Sequence, residues 1–248
     1  MSAGKQVTQV TKSSAYVVRE IIAKFGILLG LFVLMIVFAA LSPSFLTATN
    51  LTNILIQTGT NAVIAAGMTF VILTGGIDLS IGSLLALSSV IGARYMADGG
   101  SIILGVLIML AIGVGLGLFN GLFISRAKYP PFIATLASMW LFRGLAYVYT
   151  GAQAITRLPR DFRLLAMGSV FGIPNIVVII AVVYAVAHFV LARTTFGRHV
   201  YALGDNEEAA RLSGVNVNRV KTLVYVLSGF FAALGGVIYT SRLFSGQP

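Results

Sequence analysis

The chain has 248 residues, 58% hydrophobic and only 10% charged, with a mean hydropathy of +0.96. Soluble domains carry about 25% charged residues, so this composition excludes an ordinary soluble fold and points to an integral membrane protein. Seventeen basic against seven acidic residues give a net charge of +10. The basic residues gather at the ends of apolar runs, where topology determinants belong, which argues against a nucleic-acid footprint. With no cysteine, disulfides and thiolate metal sites are excluded.

In chain order, a polar segment (1–24) carrying Lys5, Lys12, Arg19 and Lys24 precedes an apolar run too long for a signal-peptide core. It reads as a cytoplasmic amino-terminal tail followed by a retained first span. A crossing helix needs about 20 apolar residues, and the runs near 25–41, 53–75, 79–96, 102–124, 131–150, 174–192 and 222–241 predict seven spans. These runs are continuous, whereas barrel strands alternate over about 10 residues. The expected fold is therefore an all-α, polytopic transmembrane helix bundle. With the amino terminus inside, the loop at 42–52 faces out, and Arg126, Lys128, Arg193, Arg198, Arg211, Arg219 and Lys221 all fall inside.

No Asp, Glu, Lys or Arg occurs between Phe25 and Ile77, and then Asp78 appears in "LTGGIDLSIGS". Gly75 and Gly76 permit the positive φ that closes a helix, and Asp78 or Ser80 supplies an N-cap for the next one. This predicts a broken helix near 75–80. Irregular backbone at membrane depth survives only when buried in protein or lining water. Asp78 is thus a cap, a group lining a solute path, or both. Gln57, Asn61, Thr74, Gly75, Gly76 and Ser80 are the polar or small positions that could line the same path.

Further on, Gly113, Gly117 and Gly121 share one helix stripe, as do Ser228, Ala232 and Gly236. Small residues every four positions predict close helix packing within the bundle. Arg157, Arg160 and Arg163 fall in an outside loop against the positive-inside tendency. The segment 193–221 is the longest charged stretch between spans. Asp205 and Glu208 have capping-box spacing and Gly214 can end the helix, predicting a short helix near 205–213 with Ala209, Ala210 and Leu212 on a small apolar face.

"LTGGIDLSIGS", "FGRHVYALGDNEEAARLSGVNVNRVK", "PSFLTATNLTNIL", "PPFIATLASMWLFRGLAYVYTG" and "LSGFFAALGGVIYTSRL" together resemble the membrane permease subunits of bacterial ATP-binding-cassette monosaccharide importers, in the branch for ribose, xylose, arabinose and galactose. The resemblance runs from about Leu41 to the end. It implies a permease domain over 25–248, formed as a dimer with a second permease subunit, in the bacterial inner membrane. A cytoplasmic ATPase and a periplasmic sugar-binding protein are the implied partners. It also implies that 193–221 is a cytoplasmic coupling loop whose residues Gly204, Asp205, Asn206, Glu207, Glu208, Ala209, Ala210, Arg211, Ser213 and Gly214 meet the ATPase. Arg157, Arg160 and Arg163 are then placed to dock the binding protein. Relatives of this kind continue for roughly 70–90 residues, about three further crossings at roughly 20 residues each, so about ten spans are expected in full and the permease domain here reads as incomplete.

No lysine lies in a Gly-x-x-x-x-Gly-Lys-Ser/Thr phosphate cradle. His188 and His199 make neither a metal pair nor a dyad, so neither cofactor, metal nor catalytic residue is expected. Trp140, Tyr147 and Tyr149 read as packing or interfacial-belt residues. The rival reading is a secondary carrier or channel for small polar solutes without an ATPase. Within the importer class, the neighbouring branches take branched-chain amino acids, nucleosides or autoinducers.

Overall fold

The computed structural model describes residues 14–248, with side chains described from Phe25 onward. Most of the expected amino-terminal tail lies outside the described residues. The part that is described, 14–24, already belongs to the first helix.

The chain divides into two compact units, 1–53 and 54–248. In the first, α1 (Ser14–Leu41) ends at a turn and α2 (Ala48–Leu73) begins. Thr47 accepts the Asn50 N–H on its hydroxyl at 3.3 Å and the Leu51 N–H on its carbonyl at 3.0 Å, which makes it the cap of α2. Asn50 Nδ2 donates to the Phe45 carbonyl at 2.7 Å, and the Phe38 and Phe45 rings lie 5.7 Å apart.

The second unit holds the rest of α2, then α3 (Ile81–Ala97), α4 (Ile102–Ser125), α5 (Pro131–Thr150), a 3-10 turn (Arg160–Arg163), α6 (Leu164–Met167), a hairpin of β1 (Ser169–Val170) and β2 (Ile173–Pro174), α7 (Asn175–Arg193), α8 (Thr195–Asp205), α9 (Glu207–Leu212) and α10 (Val217–Leu243). Among the described residues α2, α4, α5, α7 and α10 are long and apolar enough to cross a membrane, with shorter apolar helices at Phe25–Leu41 and Ile81–Ala97. Each of the seven expected spans thus coincides with a helix.

The central element is α10, whose buried residues enter both apolar cores. One core gathers α2, α7, α8 and α9 around Phe70, Ile176 and Val224. The other joins α3, α4, α5 and the 155–162 loop around Leu84, Met109, Phe142 and Phe162. The glycine stripe explains how α4 and α10 pack. A methyl group at Gly113, Gly117 or Gly121 would strike the backbone of Gly229, Tyr225 or Thr222. Without a hydrophobic drive between helices in lipid, such backbone-to-backbone closeness is what holds a pair together.

Candidate functional site

The break after α2 is built by local rules. The Gly75 and Gly76 N–H groups donate to the Ile72 and Val71 carbonyls, at 2.9 and 3.0 Å, and Gly75 takes φ +71°. This pattern closes a helix on a left-handed residue. Gly76 also has no room for a side chain, since a Cβ would fall 2.7 Å from the Tyr225 hydroxyl. Helix α3 restarts only at Ile81.

Asp78 is buried in this gap, 2% exposed. Its Oδ1 accepts the Ser80 N–H at 3.0 Å and the Ser80 hydroxyl at 2.6 Å. Its Oδ2 accepts the Ser228 hydroxyl at 2.8 Å. Asn120 Nδ2 donates to Ser80 Oγ at 2.7 Å, while Asn120 Oδ1 has no partner. The Tyr225 and Thr135 hydroxyls reach the Ile77 carbonyl at 3.3 and 3.4 Å. Ser228 stands midway along α10, roughly 16 Å from its start at ~1.5 Å per residue, so the polar knot lies beside the middle of a helix long and apolar enough to cross a membrane. An isolated carboxyl there would be costly; three donors answer it. Ser80 occupies the cap position of α3 but makes no side-chain cap bond, its backbone being already helical at φ −79° and ψ −13° rather than extended as a cap requires.

Gln57 and Asn61 lie elsewhere. They line a cleft of about 390 Å³ with Thr60, Arg143, Tyr239 and Arg242. Thr74, Gly75, Gly76, Asp78 and Ser80 do not line it, so the seven path candidates separate into a cleft group and a knot group. Arg143, well inside α5, went unremarked in the sequence reading, although a lone guanidinium within an apolar span was a legible signal. Arg242 donates to the Gln57 carbonyl at 3.2 Å and lies over the Tyr239 ring, 5.8 Å from its centre.

At the other end of the unit, the 193–221 segment forms two helices rather than the one expected. Thr194 caps α8 by accepting the Gly197 N–H at 3.2 Å, and Gly197, Val200 and Leu203 are buried. Asp205 is the last residue of α8, which corrects the expected capping box. The cap of α9 is Asn206, whose Oδ1 accepts the Ala209 N–H at 2.9 Å. Its extended backbone, φ −155° and ψ 105°, is the one suited to a cap. Gly214 ends α9 at φ +85°, with the Gly214 and Val215 N–H groups donating to Arg211 and Ala210. Of the expected apolar face only Ala210 is buried; Ala209 is exposed and Leu212 is 81% exposed.

Charge fixes this segment to its surroundings. Lys221 on α10 donates to Glu207 at 2.7 Å, and Arg211 reaches Glu207 and Glu208 at 3.2 and 3.4 Å. The Lys221 hydrogen bond holds the Glu207 carboxyl below the usual carboxylate range, against a smaller opposing effect of burial and with help from the charges of Lys221, Arg211 and Lys128. Gly204 abuts the Leu73 carbonyl so closely that no side chain fits, which places the end of α8 against the last residue before the break. Ser213 donates to the Ala209 carbonyl at 2.9 Å.

Arg157, Arg160 and Arg163 are all exposed. Their loop is tied down by the Ile155–Gly246 bridge, at 2.8 and 2.9 Å, and by Ser241, which donates to the Phe162 carbonyl at 2.8 Å and accepts the Ala166 N–H at 3.1 Å. Trp140, Tyr147 and Tyr149 face outward from α5. Among the described residues no group of three or more His, Cys, Asp or Glu could hold a metal.

The family model for the permease component of the branched-chain amino acid transport system matches residues 50–248. The chain is 46% identical to the ribose import permease protein RbsC of Bacillus subtilis over 230 residues, 92% of this chain and 71% of that one. It is 41% identical to the ribose import permease protein RbsC of Escherichia coli K12 over 245 residues, 97% of this chain and 76% of that one. Identity to the D-allose transport system permease protein AlsC of Escherichia coli K12 is 36% over 227 residues, 91% of this chain and 70% of that one. No solved structure matches. A match of this extent, across the break, the two short helices and α10 alike, makes the chain a member of the family of branched-chain amino acid transport system permease components.

Proposed function

We propose that the chain is the membrane-spanning permease subunit of an ATP-driven importer and forms the path for a ribose-like monosaccharide. The observation that carries this reading is the 41% and 46% identity to ribose import permeases over more than nine-tenths of the chain. Such a permease is not an enzyme. A separate ATP-binding-cassette subunit hydrolyses ATP, and a periplasmic binding protein delivers the sugar. The protein is a multi-pass membrane protein; in this reading it sits in the inner membrane, amino terminus inside, as a homodimer. The basic residues Arg126, Lys128, Arg193, Arg198, Arg211, Arg219 and Lys221 on the side of α8 and α9 favour that orientation.

The mechanism is alternating access. The ATPase grips α9, where Ala209 and Leu212 offer an exposed apolar foothold between the charged residues Asp205, Glu207, Glu208 and Arg211. Movement passes by two contacts: Glu207–Lys221 into α10, and Gly204 against Leu73 into the end of α2. The broken segment Thr74–Ser80 is bolted to α10 through Asp78 and Ser228, so both routes converge on it. Gln57 and Asn61 meet the solute in the cleft. Arg157, Arg160 and Arg163 attract an acidic face of the binding protein, a long-range effect that raises encounter rates.

The test is reconstitution of the complete importer, with its ATPase and binding protein, in proteoliposomes. Uptake of labelled ribose that needs ATP, the ATPase and the binding protein is expected. Uptake that follows an ion gradient and survives removal of the ATPase would overturn the reading.

A further inference from the structure

We propose that the cleft between α2, α3, α5 and α10 is a sugar-holding station and that Arg143 is its specificity-determining residue, donating from its guanidinium to two adjacent hydroxyls of the passing solute. This inference rests on the importer reading above.

The argument begins with location. Arg143 lies within α5, a helix long and apolar enough to span a membrane, where a guanidinium is costly unless it meets a partner or a water-filled cavity. Among the described residues Arg143 takes part in no ion pair, although Arg94, Arg211 and Lys221 each have a carboxylate partner. No Asp or Glu side chain among the described residues lines the cleft that it enters, which Gln247 and Pro248 also border. Its neighbours are instead the amides of Gln57, Asn61 and Gln247, the Tyr239 phenol and a second guanidinium, Arg242. Arg242 gives one donor to the Gln57 carbonyl, lies over the Tyr239 ring and keeps further donors of its own, whereas Arg143 has no protein partner among the described residues.

The chemistry selects a ligand class. A guanidinium presents five N–H donors in a fixed fork and no acceptor, and two of them match the oxygens of a vicinal diol. The amides around it offer both donors and acceptors, which suits hydroxyls, since each both donates and accepts. The roughly 390 Å³ volume lies within the range of about 300–1,000 Å³ usual for small-molecule sites. A cationic solute is rejected by two uncompensated guanidinium groups, whereas a neutral polyol fills their donors without a charge of its own.

The experiment uses the complete importer in proteoliposomes with saturating binding protein, so that a grip inside the permease reads out in the maximal rate. Arg143→Met is expected to cut the maximal rate of ribose uptake at least tenfold while basal ATP hydrolysis and assembly stay at wild-type levels, and Arg143→Lys is expected to restore part of it. For wild type, one monodeoxy ribose should already move slowly, and Arg143→Met should slow that sugar little further. Equal proportional losses for every deoxy sugar would overturn the proposal, as would full ribose uptake by Arg143→Met. A second measurement covers failure of the variant to assemble. The chain has no cysteine, so Gly82→Cys, on the cleft wall where an added Cβ meets nothing within 4 Å, gives a single reporter in the cleft. Turnover with ribose should slow its labelling by a thiol reagent severalfold. Unchanged labelling, or protection by inorganic phosphate in place of ribose, would sink the assignment. Wild-type uptake is measured first: its absence removes the importer reading itself, whereas uptake by wild type and Arg143→Met alike removes only this inference.

Discussion

Two polar sites within the helical bundle are built on opposite plans. Around Asp78 each carboxyl oxygen has a donor, all supplied by the chain, and the group is sealed at 2% exposure. Around Arg143 the polar groups line a cleft, and among the described residues the guanidinium has no carboxylate partner. A buried polar group that answers itself joins elements together; one that faces a cleft unanswered is available to something else. The knot therefore ties the break to α4 and α10, and the cleft is where a solute is expected.

The sharpest way to break this contrast is Asp78→Ala. It strips the acceptor from the Ser80 N–H and from two hydroxyls, each a buried donor whose orphaning costs about 1–3 kcal/mol. Loss of most folded protein is expected, seen as a collapse of the monodisperse peak in detergent size-exclusion chromatography and a large drop in thermal stability. Asp78→Asn keeps an acceptor oxygen and should retain most of the fold. Similar behaviour of the two variants would show that the knot does not hold the break.

Next in size is Gly204→Leu, which acts where the coupling segment meets the end of α2 and leaves the hydrogen bonds of the knot in place. The side chain has to displace the Leu73 carbonyl, a backbone atom that cannot swing aside. Uptake by the full importer should fall at least tenfold, with the permease still in the membrane and ATP hydrolysis still running. Normal uptake would remove the Gly204–Leu73 contact from the transmission route. Arg143→Met should do the reverse of Asp78→Ala: a partly buried group without a protein partner among the described residues contributes little to folding, so stability should change by less than about 1 kcal/mol. A loss as large as that of Asp78→Ala would place Arg143 among the structural residues and erase the contrast.

Much of this was readable from residues alone. Continuous apolar runs gave the spans, and Gly75–Gly76 marked the break because glycine takes the left-handed, helix-closing conformation without the penalty that a Cβ brings. Helix α8 was missed, since Arg198, His199 and Asp205 made the segment look like a charged loop. Its signal was Thr194 as a cap, with Phe196, Val200 and Leu203 recurring at helical spacing. The cap of α9 shifted from Asp205 to Asn206 because α8 consumes Asp205 as its last residue, and a boundary between abutting helices depends on which residue turns extended. The separation of the path candidates was not legible at all: it depends on α10 carrying Ser228 to the knot and Arg242 to the cleft, a tertiary arrangement with no local pattern.

The smallest expected effect concerns Glu207, the ion-paired counterpart of the knot on the coupling segment. Its side chain is 41% exposed and that of Lys221 22%, so solvent screening limits the pair to about 1 kcal/mol or less. Its carboxyl is held below the usual range by Lys221, which fixes the sign. The contribution is present in full above the ordinary glutamate value of about 4.3 and is lost as pH falls through the lowered folded value. Glu207→Gln should therefore melt slightly below wild type between pH 6 and 8, by a margin that is constant there and closes below about pH 4. At 1 M salt, where the Debye length is about 3 Å, the margin should shrink at every pH. A margin that widens on acidification would mean that the charge on Glu207 opposes the fold, and Lys221 would then have to be read as a binding residue for the ATPase rather than as the tether between α9 and α10.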